Sequence, residues 1–136
     1  MLHLHLFDTF QFIAVRVAAP SQPFVLIGLY RSPSLSDTNF IPLLKTHILP
    51  IVSANNHVLI VGDFNSSITT YLPYLGSTQF VGKSTHSGGS TLDHVYWTGQ
   101  SDCLVTDVIS CPWSDHNIVT ITLHTQKHCF FICVRC

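Results

Sequence analysis

The run Val58-Leu59-Ile60-Val61 constrains this chain more than any other stretch. Successive side chains of a strand point to opposite faces, so an unbroken apolar, largely β-branched run is apolar on both faces. A strand of this kind needs cover on both sides, as the central strand of a layered fold has. Ala54-Asn55-Asn56 turns the chain into His57 and the strand, and Gly62 ends it. Asp63-Phe64-Asn65 therefore opens a loop at a buried strand's carboxyl end.

The rest of the chain supplies partners for that strand. Phe10 to Val17 and Phe24 to Tyr30 are apolar, β-branched runs separated by Pro20-Ser21-Gln22-Pro23, which predicts a hairpin. Ser32-Pro33-Ser34 breaks the second run. Ser36 or Asp37 then caps a helix whose apolar residues Phe40, Ile41, Leu44, Ile48 and Ile51 recur at helical spacing. Pro42 falls in its first turns, and Pro50 is expected to end or kink it. Residues 66 to 84 read as irregular, with a short strand at Gln79-Phe80-Val81, and Ser87-Gly88-Gly89-Ser90 reads as a turn. Leu92 to Trp97, Leu104 to Ile109 and Asn117 to Leu123 complete the predicted strands. Many strands with one helix predict a sheet-dominated α/β (α+β) sandwich.

Charge is scarce. Charged residues make up 10% of the chain against 46% hydrophobic, and the formal net charge is −1. The six Lys and Arg are spread thinly, so no basic patch announces a nucleic-acid surface by electrostatics. All seven acidic residues are Asp, which limits the carboxylates available to a metal. Asp8, Gln11 and Arg16 interrupt the first apolar stretch, so no run spans a membrane, and the N-terminus lacks the pattern of a secretory signal. With no signal, an intracellular setting, nuclear or cytoplasmic, is expected, and the five cysteines read as free thiols.

Three polar clusters sit beside apolar strands, where a sheet delivers side chains to its rim. In Gly62-Asp63-Phe64-Asn65, residues two apart on extended backbone point the same way. Asp63 can take a proton from a water and Asn65 can donate to a phosphate oxygen; equally, the two can simply cap a loop as an Asx turn. In Ser114-Asp115-His116, Asp115 offers oxygen to Mg²⁺ and His116 offers a hydrogen bond to a scissile phosphate. The same tripeptide also suits a plain turn followed by a strand-edge histidine. Asp93, in Thr91-Leu92-Asp93-His94, alternates with apolar neighbours on a strand. If it faces inward it needs a partner. His116 would serve, because an Asp–His pair fixes the imidazole tautomer; a turn contact after Gly89 is the other possibility.

Tyr30-Arg31-Ser32-Pro33, Gly62-Asp63-Phe64-Asn65, Thr85-His86 with Thr91-Leu92-Asp93-His94-Val95, and Ser114-Asp115-His116 stand in this order along the chain. In that order they resemble the endonuclease/exonuclease/phosphatase superfamily, the DNase I-like group, and within it the endonuclease domains of mobile elements such as non-LTR retrotransposons and Helitron-type elements. The resemblance covers about residues 10 to 123. It implies a four-layer α/β/β/α sandwich, present in part, and divalent-metal-dependent hydrolysis of phosphodiesters with Mg²⁺ or Mn²⁺. Tyr30 would contact the phosphate and Arg31 the DNA. Asp63 would activate or orient the attacking water, with Asn65 positioning water and phosphate. Asp93 would orient His116, which stabilises charge growing on the phosphorus oxygens, and Asp115 would hold the metal.

The family domain begins with an Asn-bearing strand, then a helix and a strand carrying a metal-ligand Glu. Few residues precede Phe10 here and the chain contains no Glu, so the resemblance predicts an N-terminally truncated domain over 1–123. Residues 124–136, with His124, His128, Cys129, Cys133 and Cys136, are expected outside the core; their spacing fits no regular zinc finger. Three activities follow from the resemblance: a DNA-nicking endonuclease acting from within a larger natural context, a catalytically inactive remnant of the same fold, and a phosphatase acting on a small phosphate ester.

Overall fold

The computed structural model of the chain describes residues 2–67, 78–125 and 128–134. The central strand expected from its apolar run is β4, Val58–Asp63, and it lies in the interior of a six-stranded sheet. The strands of that sheet are β1 (Leu2–Leu6), β2 (Phe10–Val17), β3 (Phe24–Arg31), β4, β5 (Thr78–Gln79) and β6 (Asp93–Trp97), arranged β1-β2-β3-β4-β6-β5. β2 and β3 form the predicted hairpin, β3 and β4 run parallel, and the other pairs are antiparallel. No strand was expected before Phe10, yet Leu2-His3-Leu4-His5-Leu6 alternates strictly and adds β1 to the edge of β2. A second sheet of three strands holds β7 (Leu104–Ile109), β8 (Ile118–His124) and β9 (Cys129–Val134).

A parallel pair needs a crossover, and the helical segment between β3 and β4 supplies it. Ser36 caps α1 (Asp37–Leu43) by accepting from the Asn39 N–H, as its side chain allows at that position. The predicted single helix is realised as α1, one π-helical turn over Leu44–Ile48, and α2 (Leu49–Ala54). Pro50, in the first turn of α2, explains the widening. Its ring cannot fit against the carbonyl four residues back, and a π turn relieves that contact without ending the helix.

Two cores follow from the period-two alternation of β3, β4 and β6. On one face, Val25, Ile27, Val58, Ile60 and Tyr96 pack with Phe10, Phe12, Phe40, Leu44 and Ile48 under the helical layer. On the other, Phe24, Leu59, Val61, Val95 and Trp97 pack against Leu104, Val119, Ile121 and Leu123 of the second sheet. The described residues thus form helix, sheet and sheet, three of the four layers expected. Within the irregular stretch read over 66 to 84, residues 68–77 lie outside the described residues.

The tail departs from expectation. Cys129–Val134 pairs residue by residue with β8, and Phe130, Ile132 and Val134 pack against the inter-sheet core. The alternation of Phe130, Ile132 and Val134 with exposed Cys129, Phe131 and Cys133 is that of a half-buried strand. Cys136 lies outside the described residues. Cys129 and Cys133 are free and exposed, and no metal-ligating group among the described residues includes them. No helix among the described residues is long and apolar enough to cross a membrane.

Candidate active site

The apolar rows facing the second sheet end in polar residues. Leu59 and Val61 lead to Asp63 on β4; Trp97 and Val95 lead back to Asp93 on β6; Phe24 and Leu26 lead to Tyr30 on β3. The register places Tyr30 opposite Asp63, and Asp63 opposite Asp93. Three separate strands therefore deliver the expected side chains to one rim of the inter-sheet core. Gly62 permits this packing. A Cβ there would lie 1.8 Å from the Leu29 carbonyl oxygen on the neighbouring strand.

His116 reaches the same rim from the loop that leads into β8. Its Nδ1 lies 2.9 Å from Asp93 Oδ2, and its Nε2 lies 3.9 Å from Asp63 Oδ2. The inward-facing reading of Asp93 is the one realised, since its side chain is almost fully buried and its partner is His116. Burial pulls the His116 pKa down. The Asp93 hydrogen bond and the charges of Asp93, Asp63 and Asp115 outweigh it and hold the ring above its ordinary value. Asp63 is also raised, chiefly by burial and further by Asp93, against the lowering effects of the Asn65 N–H, His116 and His86. Both shifts favour a shared proton economy between a reluctant carboxylate and a readily protonated imidazole.

Asp63 and Asn65 form the Asx turn that the sequence allows, with the Asp63 side chain at the rim. Asp63 Oδ1 accepts the Asn65 N–H at 2.9 Å while Oδ2 faces His116. Asn65 sits at φ 47°, in the left-handed region that Asn tolerates. Its Nδ2 donates to the Arg31 carbonyl at 2.6 Å, tying the exit of β4 to that of β3. Asn65 thus positions the Asp63 loop.

Arg31 departs from its expected role at the DNA. Its side chain turns inward and is only 5% exposed. Nε and Nη2 donate to the Leu35 carbonyl, Nη1 pairs with Asp37 at 2.8 Å, and the guanidinium lies 4.8 Å from the centre of the Phe40 ring. A planar, multiply donating cation suits this clamp between strand end and helix start. Tyr30, by contrast, is 38% exposed beside Asp63.

Asp115 is exposed at the rim, with its carbonyl accepting the Ser87 N–H at 2.8 Å. A cavity of about 420 Å³ has Tyr30, Asp63, Asp115 and His116 on its wall, with Leu29 and Val61 and, from the unexpected β9, Val134. His94, next to Asp93, is structural. It is buried, stacks on Phe64 at 4.7 Å between ring centres and bonds Tyr96 Oη and the Thr91 carbonyl; burial lowers its pKa. Thr85 supports the site without having been given a role of its own. Its buried Oγ1 accepts from the Leu92 and Asp93 N–H groups at 2.9 and 3.0 Å. Thr85-His86 stands among the motifs that carry the family resemblance, but no local spacing shows that its hydroxyl would hold the Leu92 and Asp93 N–H groups.

Among the described residues, two groups bring ligand atoms within 4.8 Å of one another, Asp63-Asp93-His116 and His86-Asp115-His116. Carboxylate oxygens with an imidazole suit a hard or borderline divalent cation.

The sequence profile of the Endonuclease/Exonuclease/phosphatase family matches residues 4–116. Among solved structures, the endonuclease domain of TRAS1, a telomere-specific non-LTR retrotransposon, resembles this one with a TM-score of 0.62. Identity is 16%, over 93% of this chain and 69% of that one, so the likeness is one of fold. No curated protein matches the sequence.

Proposed function

The chain belongs to the endonuclease/exonuclease/phosphatase family, and from that premise we propose that its rim site hydrolyses phosphodiester bonds in DNA, nicking one strand. The observation that carries this reading is the line Asp93–His116–Asp63, with contacts of 2.9 and 3.9 Å, opening on a cavity that Tyr30 and Asp115 share.

Asp63 holds and deprotonates the attacking water, helped by its raised affinity for a proton. Asn65 keeps the Asp63 loop in place. His116, its proton affinity raised by Asp93 against the lowering effect of burial, faces the non-bridging oxygens and stabilises the charge that grows there. Tyr30 donates to the phosphate from the far side. A divalent cation, Mg²⁺ or Mn²⁺, held through Asp115 would neutralise phosphate charge. Within these residues, which include no Glu, only Asp offers carboxylate side chains to that cation. Preorganised charge of this kind accounts for most of the catalysis such a site can provide.

The test is relaxation of supercoiled plasmid with Mg²⁺ or Mn²⁺ by the full chain, and by Asp63→Asn and His116→Ala. Metal-dependent nicking lost in both variants supports the reading; nicking that persists in both overturns it. The net charge of −1 and the inward turn of Arg31 favour one competing substrate class, a small phosphate ester. Hydrolysis of such an ester with intact plasmid would select it.

A further inference from the structure

His86 faces the same rim and has no part in the chemistry above. Its Nε2 lies 3.7 Å from Asp115 Oδ2, and its ring centre lies 5.2 Å from that of His116 with the planes at 81°. The hairpin that carries it is fastened to the site on both sides. Thr85 and His86 N–H groups bond the Ser90 carbonyl, Ser87 N–H bonds the Asp115 carbonyl, and Asn117 N–H bonds the Thr85 carbonyl at 2.7 Å. His86 and His116 also form an isolated bridge between the two segments.

The Gly88 N–H settles which ring nitrogen carries the hydrogen. It donates to His86 Nδ1 at 3.0 Å, so Nδ1 presents a lone pair and the neutral ring carries its hydrogen on Nε2. Gly88 suits the approach, since a Cβ there would stand 3.1 Å from Nδ1. An Nε2–H has no lone pair for a cation, which removes His86 from the His86-Asp115-His116 group as a metal ligand. At 3.7 Å, Asp115 is too far to accept a proper hydrogen bond. The donor therefore faces the gap beside Asp115 and His116 with no bonded acceptor among the described residues.

We propose that His86 is a phosphate-binding residue of this site, donating from Nε2–H to a non-bridging oxygen of the substrate. The proposal rests on the phosphodiesterase reading for its substrate, while the tautomer and anion binding stand apart from turnover. In this arrangement His86 stands beside Asp115 and His116, next to the pocket that Asp63, Asp115 and His116 line. His86 replaces part of what the scarce Lys and Arg do not supply.

A long-range ¹H–¹⁵N spectrum of the full chain at neutral pH is expected to show His86 protonated at Nε2, with its ring signals moving as inorganic phosphate is added. Three variants separate donation from a merely structural role. His86→Asn keeps an acceptor for the Gly88 N–H but no donor at the Nε2 position; His86→Gln reaches that position with an amide N–H. His86→Ala and His86→Asn should lower kcat/KM for nicking about tenfold or more, the worth of a hydrogen bond to a charged group. His86→Gln should restore most of it. An Nδ1-protonated ring, signals indifferent to phosphate, or rescue by Asn in place of Gln overturns the proposal. If the wild-type chain nicks no DNA, the proposed function falls, and the spectrum with phosphate alone still decides the role of His86.

Discussion

Asp93→Asn separates the charge of the Asp93–His116 pair from its geometry. The Asn oxygen still accepts the His116 Nδ1–H, and Thr85 Oγ1 still holds the backbone N–H of residue 93 at 3.0 Å. The 2.9 Å contact keeps its shape while the carboxylate charge is lost. A hydrogen bond to a charged partner is worth about 1.5–3 kcal/mol and a neutral one about 1, so about 0.5–2 kcal/mol is lost wherever His116 must be positive. At about 1.4 kcal/mol per factor of ten, nicking should slow about 2- to 30-fold.

The pH dependence carries the sharper signature. Burial lowers the His116 pKa and the Asp93 bond and charge, with Asp63 and Asp115, raise it past 6.5. The folded ring thus binds its proton more tightly than the unfolded one. The pair's stabilisation is complete below the unfolded value and is lost as pH rises through the higher folded value. Without the Asp93 charge the burial effect counts for more, so the folded midpoint moves down and that window narrows. Titration of the His116 ring by NMR reads the shift directly, and the alkaline limb of the nicking profile should follow it. The acid limb, set by Asp63, should move down a little in the variant, since Asp93 adds to the raising of that group, while burial, the larger cause, still holds it above its ordinary value. An unchanged His116 midpoint in Asp93→Asn would refute the electrostatic account of the pair.

Other substitutions test the scaffold. Gly62→Ala should cost stability at or above the top of the usual overpacking range of about 1–3 kcal/mol, because the new Cβ meets backbone at 1.8 Å; urea unfolding measures it, and a neutral result would mean the β3–β4 pair spreads freely. Arg31→Lys keeps the charge but loses the fork to Leu35 and Asp37, so it should destabilise by about 1–3 kcal/mol while leaving the salt dependence of DNA binding unchanged. A shallower salt slope at unchanged Tm would instead show Arg31 on a phosphate. Thr85→Val should leave the Leu92 and Asp93 N–H groups without their acceptor, at about 1–3 kcal/mol each, and slow nicking through Asp93. Equal stability and activity would remove Thr85 from the site's support.

Much of this architecture is local and therefore legible along the chain. The Val58 to Val61 run, the β2–β3 hairpin and the capped helix each declare themselves through period and turn chemistry within a few residues. Asp63, Asp93 and His116 could be named because each follows or precedes an apolar strand, which fixes where it emerges. Strand β9 was missed because a half-buried alternation among Cys and Phe is weak until a neighbour such as β8 covers one face.

Partners across sequence are another matter. The residue types at Arg31 and Asn65 fit a phosphate equally well, and only the fold shows that Arg31 is taken by Leu35 and Asp37, and that the Asn65 amide turns to the Arg31 carbonyl. The role of His86 depends on a hydrogen bond from Gly88 and on a bridge to a segment thirty residues away, neither of which has a sequence signature. Period and turn chemistry along the chain fix most of its strands, the start of its helix and the polar residues at their ends, because those are short-range effects. Tertiary structure decided which caps meet and which nitrogen faces the pocket, because hydrogen bonds are directional and their partners arrive from different strands.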